Sequence, residues 1–319
     1  MAGSTNYLRH LLLSLLGLSF GLTGPVFAQV ALTSSIEEIY DWKYDFRFSS
    51  EYQTQADIDG GGAFDALRFK VGGHLQGPIS HTVRVYLDMA YAHTQYTFES
   101  APKANCPTPS SCFKQDPWED VHTVDIAPGG ALILSESVRI QAFVPIRWHA
   151  ESDSERSGVT AGLLTQIQLH FSDNFTTALG VGVQSELEKD ASVFPVISLD
   201  WRISDRARLL TQGDPYQGGH VALQLGDSKP FQFVLSLGYE RRRFRLANGS
   251  SVPNGVGEMT SMPLLLGLTL DLGTDSALSI EGGVALRGRL KLDDANGNTL
   301  QREDFDTAGI IRGMLRISF

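Results

Sequence analysis

Ile311-Arg312-Gly313-Met314-Leu315-Arg316-Ile317-Ser318-Phe319 ends the chain. Ile311, Gly313, Leu315, Ile317 and Phe319 hold every second position, and Arg312, Arg316 and Ser318 stand between them. A repeat of two places successive side chains on opposite faces of an extended strand, so this strand has one oily and one polar face. A soluble edge strand could read the same way, and the opposite end of the chain separates the two. There Arg9 and His10 precede the apolar run Leu11 to Leu22, which is shorter than the roughly 18 residues a membrane helix needs. Val26-Phe27-Ala28 follows, with compact residues where a signal peptidase reads them. The pattern predicts a cleaved signal peptide over 1–28 and one mature domain over 29–319.

Between these ends the same period of two recurs. Tyr40, Trp42, Tyr44, Phe46 and Phe48 alternate with Asp41, Lys43, Asp45, Arg47 and Ser49. Val83, Val85, Leu87, Met89 and Tyr91 alternate with Arg84, Tyr86 and Asp88, and Phe231, Phe233, Leu235, Leu237 and Tyr239 with Gln232, Ser236 and Glu240. A β-sandwich also alternates. Here, however, full charges and glycines occupy mid-strand polar positions, as the lumen of a membrane barrel allows. The connections also alternate in length. Short turns at Gln76–Ser80, Ser135–Ser137, Ser172–Asn174, Ser204–Arg206, Gly226–Pro230 and Gly273–Ser276 are separated by longer polar loops at Thr54–Gly62, Thr97–Pro117, Glu151–Ser157, Lys189–Ser192, Gly213–Gly219, Ala247–Thr260 and Asp293–Ala308. Short periplasmic turns and longer outer loops are the rule for outer-membrane barrels.

The expectation is an all-β, transmembrane, antiparallel up-and-down β-barrel of about 14 strands, or 12 if the strands near Leu209 and Val221 fail. Both ends then lie on the periplasmic side. Pro195 and Pro263 are expected at strand starts, and bulges at Pro128 and Pro145, because a closed barrel has no edge to shelter a residue without an N–H.

The terminal strand resembles the C-terminal signal of bacterial outer-membrane barrels, in which a final aromatic residue, here Phe319, is read by the barrel assembly machinery. Five stretches together resemble an uncharacterised family of such barrels, domain of unknown function 6268. They are Asp57-Ile58-Asp59-Gly60-Gly61-Gly62, Pro117-Trp118-Glu119-Asp120-Val121-His122, Val193-Phe194-Pro195 with Asp200-Trp201-Arg202-Ile203, Gly255-Val256-Gly257-Glu258, and Asp294-Ala295-Asn296-Gly297-Asn298. The resemblance spans nearly all of the mature chain and implies a single barrel domain in the outer membrane. It brings no catalytic or ligand residues.

Cys106 and Cys112, the only two cysteines, share a long outer loop and are expected to form a disulfide in an oxidising compartment. His93, His122 and Asp120, with His149 near, fall at the outer ends of neighbouring strands. Their spacing matches no zinc motif, and no serine is placed as a nucleophile, so they are read as solvated rim residues and no enzyme is expected. Arg241 and Arg243, in the run Arg241-Arg242-Arg243 with Arg245, continue the lipid-facing stripe of Tyr239. They are expected to meet lipopolysaccharide phosphates or, alternatively, acidic loops. The acidic groups Asp57/Asp59, Glu151/Asp153/Glu155 and Asp293/Asp294 are read as turns rather than calcium sites. No metal, cofactor or nucleic-acid partner is expected.

Removing the signal takes away Arg9 and leaves 25 Lys and Arg against 36 Asp and Glu. Alternation nevertheless puts about 15 basic and about 10 acidic residues in the lumen. The basic ladder is Lys43, Arg47, Arg68, Lys70, Arg84, Arg139, Arg147, Arg202, Arg287, Arg289, Lys291, Arg312 and Arg316. A positive wall in a low-dielectric shell favours anions. The leading expectation is therefore a passive or weakly anion-selective channel for small solutes. The alternative is a closed structural or surface-binding barrel, with an outer-membrane enzyme in third place.

Overall fold

The computed structural model describes residues 41–99, 117–214, 218–226 and 230–319. The signal peptide and both cysteines lie outside the described residues. Sixteen strand segments run in chain order: β1 (Lys43–Asp57), β2 (Ala63–Pro78), β3 (Val83–Glu99), β4 (Asp120–Ser135), β5 (Val138–Phe143), β6 (Ile146–Glu151), β7 (Val159–Ser172), β8 (Phe175–Glu186), β9 (Lys189–Ser204), β10 (Ala207–Asp214), β11 (Gly218–Leu225), β12 (Phe231–Arg245), β13 (Val256–Gly273), β14 (Ser276–Asp293), β15 (Thr299–Phe305) and β16 (Ala308–Ser318). β5 and β6 are halves of one wall strand, as are β15 and β16, so the wall has 14 strands. Each pairs antiparallel with its neighbours, and β1 pairs with β16 to close the ring. Both uncertain strands near Leu209 and Val221 are present, as β10 and β11.

The outward faces carry an apolar belt. Tyr44, Phe46 and Phe48 on β1, Leu163 and Ile167 on β7, Phe231, Phe233 and Leu235 on β12, and Leu264, Leu266 and Leu268 on β13 are all exposed. Water penalises such a continuous surface, whereas bilayer hydrocarbon does not, and the ring closes through the β1–β16 and β11–β12 ladders. The chain is a transmembrane β-barrel.

The prolines behave differently from the expectation. Pro145 splits β5 from β6, but the register to β4 continues without a slip from Gly129↔Phe143 to Ile126↔Ile146. The missing N–H interrupts the ladder without adding a residue, so no bulge forms there, and Pro128 of β4 lies opposite the break. Pro195 and Pro263 sit inside β9 and β13, not at their starts. Pro195 is tolerated because the outer half of β9 is an edge: its ladder to β10 stops at Asp200↔Leu210.

A true bulge lies at Arg287, whose φ is 39°. The β13–β14 register slips between Met262↔Leu286 and Thr260↔Arg289. One added residue turns every later side chain to the other face. Ala285 points inward below the bulge, and Leu290 and Leu292 point inward above it.

At the outer end the wall rolls over itself like a scroll. β11 pairs with β12 only as far as Gly218↔Glu240. Beyond Glu240, β12 parts from β11 but stays paired with β13 to Arg245↔Val256, so this edge of the wall curls over the lumen as an arm, and Arg245 forms a parallel bridge with Ala150 of β6. The arm's inner face closes a compact core of Ala56, Phe64, Tyr96, Trp118, Phe244, Met259, Leu290 and Phe305. Ring edges meet ring faces there: Trp118 to Phe244 at 5.3 Å and Phe64 to Phe305 at 4.9 Å. Gly288 lies where a Cβ would come within 1.7 Å of the Phe305 ring.

Candidate functional site

The lumen is packed along much of its height. Arg84, Gln141, Gln166, Gln168, Ser198, Ser236 and Ser279 all point inward and all are buried. A second apolar cluster of Tyr86, Phe143, Leu164, Phe194 and Val196 fills the side lined by β3 to β9.

At mid-lumen, beneath the arm, five charged side chains interlock. The Arg242 guanidinium donates to Glu51 at 2.5 Å and to Glu240 at 3.0 Å. Arg312 donates to the same Glu51 carboxylate and to Glu240 at 2.8 Å, with Glu281 at 3.8 Å. Glu51 and Arg312 face each other across the β1–β16 closure, opposite Arg68 on β2. Paired charges of this kind satisfy one another in a site of low dielectric. Arg68 makes no ion pair among the described residues.

The arm's other face carries Arg241, Arg243 and Arg245, and the tip of the β8–β9 hairpin lies over it. Arg241 forks onto Glu186 at 2.9 and 3.1 Å and also meets Glu258 at 2.9 Å. Arg243 meets Glu258 at 2.8 Å, Asp293 at 3.1 Å and the Leu187 carbonyl at 2.8 Å. Arg245 reaches Glu188 at 2.6 Å, and the Ala247 N–H donates to Glu151 at 2.7 Å. This corrects the expected lipopolysaccharide contact. Arg241 and Arg243 do continue the stripe of Tyr239, but β12 has turned inward, so the stripe faces the inner side of β8 rather than lipid. Their side chains keep only 19% and 8% exposure. Their acidic partners are Glu186 at the hairpin tip, Glu258 on β13 and Asp293 at the end of β14.

Between the arm and the inner wall of β2–β9 lies a cavity of about 50 Å³. It is lined by Arg68, Arg147, Arg242, His149, Thr160 and Gln184 among others. Arg147 pairs with Asp125 at 2.5 Å behind it.

The residues of the basic ladder fall into two groups by position. Lys43, Arg47, Arg68, Lys70, Arg84, Arg139, Arg147, Arg312 and Arg316 stand on inward positions by register, and Arg47 lies directly across from Arg316. Arg202 is exposed at the turn end of β9, opposite Arg208. Arg287, Arg289 and Lys291 are not in the lumen, because the Arg287 bulge turns them outward. Arg289 pairs with Asp304 at 2.7 Å and Lys291 with Asp293 at 2.8 Å. The sequence reading missed Glu51 and Arg242 as the centre of the network. Glu51 is inward by plain alternation from Lys43, so that signal was available. Arg242 was hidden within an arginine run.

The remaining expectations are placed as follows. Phe319 exchanges backbone hydrogen bonds with Tyr44 and meets the Phe46 ring edge at 6.3 Å. Asp294 accepts from the Asn296 and Asn298 backbone N–H groups at 2.8 Å each and from the Asn298 amide at 2.9 Å. That arrangement is a turn, and the Asn298 bonds hold the carboxyl below its usual range. Among the described residues no group of three or more His, Cys, Asp or Glu is disposed to hold a metal ion.

No protein-family model and no curated relative matches the chain. Solved structures of similar architecture include an outer-membrane channel from Pseudomonas putida F1, at 9% identity and TM-score 0.44, covering 88% of this chain and 96% of that one. A Pseudomonas aeruginosa FadL homologue matches at 10% identity and TM-score 0.42, covering 87% and 89%. The Pseudomonas putida toluene transporter TodX matches at 10% identity and TM-score 0.38, covering 86% and 89%. Each is a barrel similar to this one in outline, and the cargo of those proteins carries no inference here.

Proposed function

We propose that this chain is an outer-membrane channel for small polar solutes, exported by a signal peptide over 1–28, and shut in the state described. One observation carries the reading: the inner face of the β12 arm is only partly sealed. Phe244 is packed into an apolar core, but Arg242, two residues earlier on the same face, borders a polar cavity with Arg68 and Arg147. A barrel serving only as a rigid support gains little from keeping polar space at that depth. The hairpin tip at Glu186–Lys189 and the arginines beneath it form the latch. Releasing it would join the cavity to the outside. The arginine-rich lining favours small anions, moderated by Asp125, Glu51 and Glu240 behind it. Membrane lipid surrounds the belt, and the assembly machinery reads the strand ending in Phe319.

A closed structural barrel is the second reading, favoured by the packed lumen. Single-channel recording on the refolded protein separates the two. Wild type should open rarely. A Glu186→Gln/Glu258→Gln variant, with the latch unpaired, should open more often, and its reversal potential should lie on the anion side. A folded, heat-modifiable variant that stays silent would leave the closed barrel standing.

A further inference from the structure

The outward rim above β3, β4 and β6 carries a polar constellation that neither the lumen nor the latch uses. His93 and His122 are register partners across β3–β4. Their rings stack at 4.8 Å with an interplanar angle of 20°. His93 Nε2 lies 3.0 Å from Asp120 Oδ1. His122 Nδ1 lies 2.7 Å from the Tyr91 hydroxyl, and its Nε2 lies 3.0 Å from Ser152 Oγ, in the connection between β6 and β7. Ser152 is exposed and His122 is half-buried, so both are within reach of a ligand.

Depth gives the constellation its meaning. On β4 the outward apolar residues run from Leu134 to Val124, and His122 is the next outward position. On β3, Tyr91 is the last exposed apolar side chain and His93 the next outward one. Ten residues of tilted strand span about 25 Å, the height of the hydrocarbon layer. The histidines therefore stand where hydrocarbon gives way to headgroups, at the level of the ester bonds of outer-leaflet lipids.

We propose that Ser152 and His122 form a hydrolytic site for carboxylic esters of outer-leaflet lipids, with Tyr91 as a positioning residue. With Nδ1 protonated and donating to the Tyr91 oxygen, the Nε2 lone pair accepts the hydrogen bond from Ser152 Oγ–H. That is the arrangement a general base needs beside its nucleophile. Ser152 Oγ attacks the ester carbonyl carbon as its proton passes to His122 Nε2. The imidazolium returns that proton to the departing alcohol oxygen as the C–O bond breaks, leaving an acyl–Ser152 ester. A water then attacks the acyl carbon and gives its proton to Nε2. The proton ends on Ser152 Oγ as the fatty acid leaves. His93, held by Asp120, stacks on the His122 ring and fixes its plane. The substrate enters from lipid, so a closed lumen is no obstacle, and this inference does not rest on the channel reading.

The test uses the refolded full chain in mixed micelles, one arm containing phosphatidylethanolamine and the other lipopolysaccharide, with release of fatty acid as the readout. A fluorophosphonate probe, followed by mass spectrometry, reports the nucleophile directly. The proposal expects fatty acid release in at least one arm and probe adduct on Ser152. Ser152→Ala and His122→Ala should lower turnover about a hundredfold or more while heat-modifiable migration is unchanged. Tyr91→Phe should lower kcat at constant KM. Turnover retained in Ser152→Ala, or neither release nor Ser152 adduct in folded wild type, would overturn it.

Discussion

Arg245 of β12 and Ala150 of β6 stand side by side in a parallel bridge, although five wall strands, β7 to β11, separate their own strands around the ring. A parallel contact between wall strands so far apart requires the wall to curl over itself here, with β12 parting from β11 while it stays paired with β13. The arm is therefore held by contacts at its tip and along both faces, and its energetics can be probed one side chain at a time.

On the latch side, Arg243→Ala should leave Glu258 and Asp293 short of a cation beneath the hairpin. Removing one partner of a buried ion pair costs about 3–5 kcal/mol. The denaturant midpoint of the barrel in detergent should fall, and proteolysis should begin within the β8–β9 tip. An unchanged midpoint would show that Arg243 is dispensable to the arm.

At mid-lumen, Glu51→Gln should destabilise the barrel by a similar amount, because Arg242 and Arg312 both depend on that carboxylate. Glu281→Gln should cost less, since its approach to Arg312 is the longest in the network at 3.8 Å. The order of the two equilibrium unfolding curves is the check.

Arg287→Ala/Arg289→Ala should leave any ion selectivity unchanged, since both side chains lie outside the lumen. Arg68→Ala, in the cavity wall, should move the reversal potential toward cations in the latch-free background. A selectivity change in the first variant and none in the second would mean that the conducting path follows the other side of β14.

Within the core, Phe244→Ala should cost about 3–5 kcal/mol, as large aromatic truncations do. Gly288→Ala should be harmful out of proportion to one methyl group, because that methyl overlaps the Phe305 ring. Thermal unfolding of the paired variants Gly288→Ala and Gly288→Ala/Phe305→Leu tests the overlap: the second should regain part of the loss.

At the chain end, deleting Phe319 should reduce the amount of protein assembled in the outer membrane of cells while export continues. Refolding of the same variant from urea into detergent should be much less affected. Equal losses in both settings would mean that the residue acts through its contacts with Tyr44 and Phe46 rather than as an assembly signal.

The barrel could be read from the sequence because its physical requirement is repeated. Every wall strand must present apolar side chains to lipid at alternate positions, and that pattern recurs along the chain. Strand number followed from the turns. Detail was lost wherever alternation alone could not tell where a face looks. The residue added at Arg287 leaves no mark on the oily and polar pattern, so three cations were assigned to the wrong side. Arg241 and Arg243 were correctly placed on the outward face of β12, but nothing local in the run shows that the strand bends inward. His93, His122 and Asp120 were grouped from their strand ends. Ser152 was not, because its partner His122 lies 30 residues away and only the β4–β6 pairing brings them together. The outer loops were drawn too long: β15 (Thr299–Phe305) lies within the segment Asp293–Ala308 that was read as a loop.

Because the arm lies beneath the hairpin tip, the two layers can be stacked in only one order. β8–β9 precedes β12 in the chain, yet it must end outermost, with its Leu187 carbonyl resting on Arg243. The tip can therefore lift without disturbing the arm, whereas the arm cannot move outward without first displacing the tip.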